Sequence, residues 1–163
     1  MTAAWVPLAE TTLSSSASSV TFSSIPAGYR DLILVCSGTT SVNANILCNV
    51  NNDTASNYSW VYMRGNGSTA VSGSNASNTS ILTSATAYWI NASPTNTVLQ
   101  FMDYSNTSIH KTVLCRNDGS TRASEATCSR WANTAAINEI DLTPTSGTFE
   151  SGATFSLYGS NRL

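Results

Sequence analysis

The stretch Tyr29-Arg30-Asp31-Leu32-Ile33-Leu34-Val35-Cys36-Ser37 decides the fold. Its centre, Leu32 to Cys36, is apolar at odd and even positions alike. A run this short reads as a strand with both faces covered. Working outward, Asn45–Asn51 alternates, with Ile46, Cys48 and Val50 on one side, Asn45, Asn49 and Asn51 on the other, and Leu47 the exception. Ser59–Arg64 carries Trp60 and Tyr62 on one face and Val61 and Met63 on the other. Further strand-like runs are Trp5–Leu8, Val20–Phe22, Ala85–Ile90, Thr97–Tyr104, His110–Arg116, Thr127–Trp131, Ile137–Thr143 and Thr154–Gly159. Gly, Pro, Ser, Thr and Asn interrupt every window before three helical turns can form. Nine to eleven short strands at intervals of about 8–15 residues argue for an all-β sandwich or barrel.

Turn chemistry fills the gaps. Asn117-Asp118-Gly119 supplies positive-φ positions for a hairpin after Arg116, and Pro144 to Gly147 and Ser151-Gly152 frame the last connection. Gly65 to Ser80 (GNGSTAVSGSNASNTS) reads as an exposed loop. No internal repeat or change of composition divides the chain. Residues 1–19 read as an N-terminal arm and lead-in, and 20–163 as a single β-sandwich domain.

Of the 163 residues, 27 are Ser, 22 Thr and 16 Asn, while only 10% are charged, against about 25% in an ordinary soluble domain. Net charge is −2 and Lys111 is the single lysine, so no basic face exists to neutralise phosphates, and nucleic acid is not an expected partner. No apolar stretch approaches the ~18 residues of a membrane span. Met1 to Glu10 lacks the basic-then-apolar pattern of a secretory leader, which predicts synthesis in a reducing cytosol and free thiols at Cys36, Cys48, Cys115 and Cys128. Three of these lie in apolar runs, where cysteine serves as a small core residue. The seven Asn-x-Ser/Thr sequons, Asn52 to Asn106, then reflect composition rather than glycosylation.

The residues that carry chemistry are sparse. His110 is the only histidine and no Gly-x-Ser-x-Gly accompanies it, so a nucleophile-activating set is not expected. Asp103, Glu125, Glu139, Asp141 and Glu150 show no pairing by spacing that would suit glycoside hydrolysis. Asn51 to Asn57 offers oxygens but lacks the acidic density of a calcium loop, and reads as an Asx-turn. The expectation is a non-enzyme with no metal and no cofactor.

The strands that are apolar on both parities, Leu32–Cys36, Trp60–Met63 and Val98–Tyr104, imply more than one core. One sheet face fills the sandwich, and the other needs a companion, most economically a neighbouring subunit. Aromatic anchors expected at such contacts are Trp60, Tyr62, Trp89 and Trp131, with Trp5, Val6, Pro7 and Leu8 as an interface arm.

Three segments, LAETTLSSSASSVTFSSIPAGYRDLILVCSG, NVNNDTASNYSW and INEIDLTPTSGTFESGATFSLYGS, together resemble a family of small tailed-bacteriophage virion proteins. Where that family often has Phe-Asn-Gly-Asp, this chain has Val50-Asn51-Asn52-Asp53. The resemblance implies a jelly-roll-like antiparallel β-sandwich without enzymatic activity. It also implies a homotrimer assembled in the bacterial host cytoplasm onto a virion, with the major capsid protein as partner. The preferred role is capsid decoration (cement). The alternative is a tail or fibre-tip appendage that binds host-surface glycan.

Overall fold

The computed structural model describes residues 4–85, 89, 93–119 and 123–161. They form twelve strands: β1 (Trp5–Thr12), β2 (Val20–Phe22), β3 (Leu32–Gly38), β4 (Ile46–Val50), β5 (Tyr58–Gly65), β6 (Ala70–Asn78), β7 (Ile81–Leu82), β8 (Thr95–Met102), β9 (Lys111–Gly119), β10 (Ala123–Trp131), β11 (Ile140–Pro144) and β12 (Thr154–Ser160). No helix occurs among the described residues.

An eight-stranded sheet in the order β1-β12-β3-β8-β9-β10-β5-β6 packs on a four-stranded sheet in the order β2-β11-β4-β7. The chain crosses repeatedly between the two: β2, β4, β7 and β11 each leave the larger sheet and return to it. Every pairing is antiparallel. The protein is an all-β, jelly-roll-type sandwich, as the spacing of apolar runs predicts.

The pleat puts alternate residues into the space between the sheets. Burial follows it strand by strand: Phe155 and Leu157 on β12, Leu99 and Phe101 on β8, Ile46, Cys48 and Val50 on β4, and Ile140 and Leu142 on β11 are all buried. Trp89 sits at the centre. Its ring stacks on Phe155 (centroids 6.1 Å apart) and meets Phe149 edge-on at 5.6 Å. Its indole N–H donates to Thr97 Oγ1 at 2.8 Å, and its backbone exchanges two bonds of 2.9 Å with Ala44. The residue thereby ties the connection between β7 and β8 to both sheets. Gly38 lies against this point, where an added Cβ would come within 2.6 Å of the Ala153 Cβ.

Several expectations are corrected. Trp5–Leu8 is no separate arm: it begins β1, which pairs with β12 from Trp5↔Ser160 to Thr12↔Thr154. Gly65 to Ser80 is not a loop throughout, because Ala70–Asn78 is β6, joined to β5 by a turn in which Asn66 Oδ1 accepts from the Ser68 and Thr69 amides. Asn117 to Gly119 continues β9 instead of turning, since its backbone finds partners in Glu125, Ser124 and Ala123. The run Ala85–Ile90 falls partly outside the described residues; Trp89 makes an isolated bridge to Ala44, and the neighbouring strand is Ile81–Leu82. Tight turns substitute asparagine for glycine: Asn51 and Asn52 have φ of 53° and 55°, a conformation asparagine tolerates better than most residues. The Asp53 amide then closes on Val50 O at 3.0 Å.

Truncating Trp89 removes the ring packed against Phe149, Phe155 and Thr97. Trp89→Ala is expected to cost about 3–5 kcal/mol, read as a lower midpoint in thermal or urea unfolding; a cost under ~1 kcal/mol would show that the ring is not a core anchor.

Candidate docking face on the eight-stranded sheet

The outer face of the larger sheet is built from the residues that alternate with the core. Rows run straight across it. Gln100, Leu114, Cys128, Val61 and Ser74 stand side by side on β8, β9, β10, β5 and β6, and the next row is Val98, Arg116, Ala126, Met63 and Ser72. Met63 is 67% exposed, Val61 54% and Leu114 39%, so three large apolar side chains of two rows face solvent. An open hollow of about 910 Å³ lies over Val98, Ala126 and Met63, bounded by Arg116, Ser124 and Asp118. It adjoins one of about 350 Å³ over Val61, Leu114 and Cys128.

The inner face of the same strands is unusually polar. On β10 the buried positions are Glu125, Thr127, Ser129 and Trp131, while Ala126, Cys128 and Arg130 point out. The usual contrast is weakened here: the enclosed side mixes Trp131 with polar residues, and the open side mixes Ala126 and Cys128 with Ser124 and Arg130. The segment after β7 satisfies two of these polar groups: Glu125 Oε1 accepts from the Ala85 amide, and Thr127 Oγ1 donates to Thr83 O at 3.5 Å, while the Ser129 hydroxyl is enclosed without a hydrogen-bond partner. Lys111 is likewise buried, its ammonium donating to Ile109 O at 2.9 Å and Thr134 O at 3.0 Å, and burial lowers its pKa. The chain's single lysine therefore offers no charge to the surface.

The four expected aromatic anchors divide. Trp89 and Trp131 are 0% and 1% exposed and belong to the core, not to an interface. Trp131 stacks on Tyr58 with centroids 6.5 Å apart, and its N–H donates to Asp53 Oδ2 at 2.7 Å. Trp60 and Tyr62 are half-buried on the core side of β5, with rings 5.8 Å apart. Tyr62 lies over Gly73 of β6, where an added Cβ would meet the ring at 2.7 Å. Of the expected arm, Trp5 is 50% exposed and packs at 6.1 Å on Tyr158, Val6 and Leu8 are half-buried, and Pro7 is exposed. The outer-face residues Val61 and Met63 were visible in the sequence as the second parity of β5. Leu114, Ala126 and Cys128 were not singled out there, although strict alternation from Val113 and Cys115 places Leu114 outward.

The loop Asn51 to Asn57 is a brace. Asp53 Oδ1 accepts from the Ala55 amide at 2.9 Å, the Asx-turn the sequence suggests, while Oδ2 also accepts from Asn57 at 2.9 Å. Burial raises the Asp53 pKa, but the hydrogen bonds from Asn57, Trp131 and Ala55 outweigh it and hold the carboxyl below the usual range. Asn51 stitches the loop to the chain before β11, its Oδ1 accepting from the Asn138 amide at 2.9 Å and its amide donating to Ala136 O at 2.8 Å. Among the described residues no group of three or more His, Cys, Asp or Glu side chains is placed to hold a metal. His110 is exposed just before β9.

All four cysteines are free, with Cys36, Cys48 and Cys115 buried and Cys128 exposed. Burial, reinforced by neighbouring thiols, pushes the Cys36 and Cys48 thiols far up and the Cys115 thiol up to about 12.

No family model and no curated protein matches the chain. Among solved structures it is similar to a galectin from Caenorhabditis elegans at 9% identity, covering 94% of this chain and 96% of that one with a TM-score of 0.38. It is also similar to an exo-inulinase from Aspergillus awamori at 13% identity and a TM-score of 0.41, covering 94% of this chain but 29% of that enzyme.

Asp53→Ala is expected to cost about 2–3 kcal/mol at pH 7, a fall in Tm of roughly 5–10 °C. Because the folded carboxyl lies below its unfolded value, this contribution is complete above pH ~4 and fades as the pH drops further. The gap between wild type and variant should therefore narrow at pH 3, and a gap that stays constant would remove Asp53's charge from the account. Cys128 should be the one thiol titrated rapidly by a thiol-specific chromophore in the native protein, the other three reacting only on unfolding. Fast reaction of two or more would contradict the burial described.

Proposed function

We propose that the chain is a structural component of a tailed-bacteriophage virion, assembled in the host cytoplasm. In this reading it is a decoration protein that docks on the assembled head through the outer face of its eight-stranded sheet. The observation that carries this is the apolar patch on the outer face: Val61, Met63 and Leu114 face solvent while Glu125, Thr127 and Lys111 are enclosed. Contiguous exposed apolar surface of this kind marks a contact waiting to be made. The hydroxyls and amides around it can bond a partner, while Arg116 and Asp118 at the hollow need opposite charges there, since a buried unpaired charge is costly. The family resemblance supplies the partner class, the major capsid protein.

The mechanism is mass action. A protein that binds only the assembled shell stabilises that shell by RT ln(1 + [L]/Kd) per site, and repeated copies multiply a small gain. No covalent chemistry, metal or cofactor enters.

A second reading, a tail or fibre-tip module for host glycan, has one observation in its favour. Trp60 and Tyr62 stand beside Asn75 of β6 and combine aromatic rings with an amide, a pairing that suits a sugar ring.

Purified protein mixed with expanded, undecorated heads should co-sediment with them and raise their thermal midpoint. Val61→Glu with Met63→Lys should raise Kd at least tenfold, about 1.4 kcal/mol, at an unchanged Tm of the free protein, since both side chains are exposed. Attached protein should shield Cys128 from thiol reagents. Binding to purified tails but not to heads would select the appendage reading, and a glycan-array signal lost in Trp60→Ala would select its sugar-binding form.

A further inference from the structure

We infer that β6 is the seam of a two-fold dimer, in which two copies of this chain join their eight-stranded sheets edge to edge. An unpaired edge strand offers a row of free N–H and C=O groups to any strand that fits, and monomeric proteins suppress this with short edges, proline, bulges or charge. Among the described residues the sandwich presents four edges, and three carry such a device. β2 and β7 have three and two residues. β1 carries Pro7, Glu10 and a register break between Pro7 and Ala9.

β6 has a register break only at its far end, where its pairing shifts between Tyr58 and Trp60 of β5, and its flat part carries no device. It is nine residues long, contains no proline and no charged side chain, and is exposed at every position except the half-buried Gly73 and Asn78. Its pairing with β5 is unbroken from Gly65↔Ala70 to Trp60↔Asn75. Only beyond that does the strand deform, where Ser77 has φ of 59°. The usable template is therefore Ala70 to Asn75, enough for about six backbone hydrogen bonds across an antiparallel seam.

The occupant is a second copy because this strand is complementary to itself. Antiparallel self-pairing is two-fold symmetric by construction. A charged edge would set like charges opposite one another, whereas Ala-Val-Ser-Gly-Ser-Asn sets none. The seam also joins the two outer faces. Val61 and Met63 lie on the strand next to the edge, so the β5 strands of two copies would stand three strand spacings apart, about 14 Å. Two apolar patches would become one broad surface, and docking through both would gain from effective concentration. A two-fold seam takes the place of the three-fold ring that the family resemblance implies.

The test uses the isolated full chain, so its outcome is independent of binding to heads. Size-exclusion chromatography with light scattering should give a mass twice 17.2 kDa, about 34 kDa, at concentrations up to roughly 0.5 mM, since a seam this small gives a weak dimer. The variant S72K/S74K, which adds charge at exposed outward positions, should be monomeric with an unchanged thermal midpoint. Hydrogen exchange should show Ala70–Asn75 amides protected in concentrated wild-type protein and released on dilution. A three-fold mass, a wild-type monomer throughout the range, a dimer that survives in S72K/S74K, or β6 exchange indifferent to dilution would each overturn the proposal; the dilution series decides even if the variant does not fold.

Discussion

An extended chain turns successive side chains to opposite sides, so every strand that fills a core also builds a second surface. In this protein the smaller sheet and its connections cover one side of the larger sheet short of its β6 edge, and the chain has no third layer among the described residues. The core and the docking face are therefore two consequences of one pleat. Leu99 and Phe101 are 0% exposed because Val98 and Gln100 point the other way. Trp89, placed between Phe149, Phe155 and Thr97, fixes which side is inside.

The two sides are not as different in polarity as a sandwich ordinarily makes them. Near β9 and β10 the enclosed side takes Lys111, Asn117, Glu125, Thr127 and Ser129 beside Val113, Cys115 and Trp131, and the open side takes Leu114, Ala126 and Cys128 beside Arg116, Asp118 and Arg130. An enclosed polar group is costly unless it finds a partner, and of these only the Ser129 hydroxyl has none. The backbone of residues 83–85 provides partners for Glu125 and Thr127, as the carbonyls of Ile109 and Thr134 do for the ammonium. The arrangement fixes the register of the segment after β7 over β10, because a slip of one residue would leave the carboxylate and hydroxyl unmatched.

Sequence reasoning reached the fold because its strongest signals are physical ones. Leu32 to Cys36 is apolar on both parities, and β3 is enclosed on both sides at Ile33, only 7% exposed, while Val35 on the same side is half-buried. The same pattern at Val61 and Met63 led to the opposite outcome, exposure, since covering there would require another molecule. β6 was illegible because neither of its sides enters the core: with no apolar alternation to select, only backbone pairing to β5 and the fit of Tyr62 on Gly73 mark it as a strand. Trp131 was misplaced to a surface because its parity partners on β10 are Ser129, Thr127 and Glu125, which disguise a buried side as a polar one. Asn117-Asp118-Gly119 has hairpin chemistry, yet partners across β10 outcompete the local turn.

The charge economy of the chain points in the same direction as the geometry. Soluble monomers commonly guard exposed strands and apolar patches with lysine. This protein has one lysine, and it is enclosed. Apart from a few arginines and carboxylates such as Arg116, Asp118 and Arg130, its surface polarity is hydroxyl and amide, much of it committed to local bonds such as Asn66 to the turn before β6 and Asn51 to residues 136–139. A surface of this kind repels neither its own copies nor a large neutral partner, and desolvating it costs less than desolvating ammonium and carboxylate groups. The same shortage of charge that leaves Val61, Met63 and β6 unguarded in a free monomer makes them inexpensive to cover in an assembly.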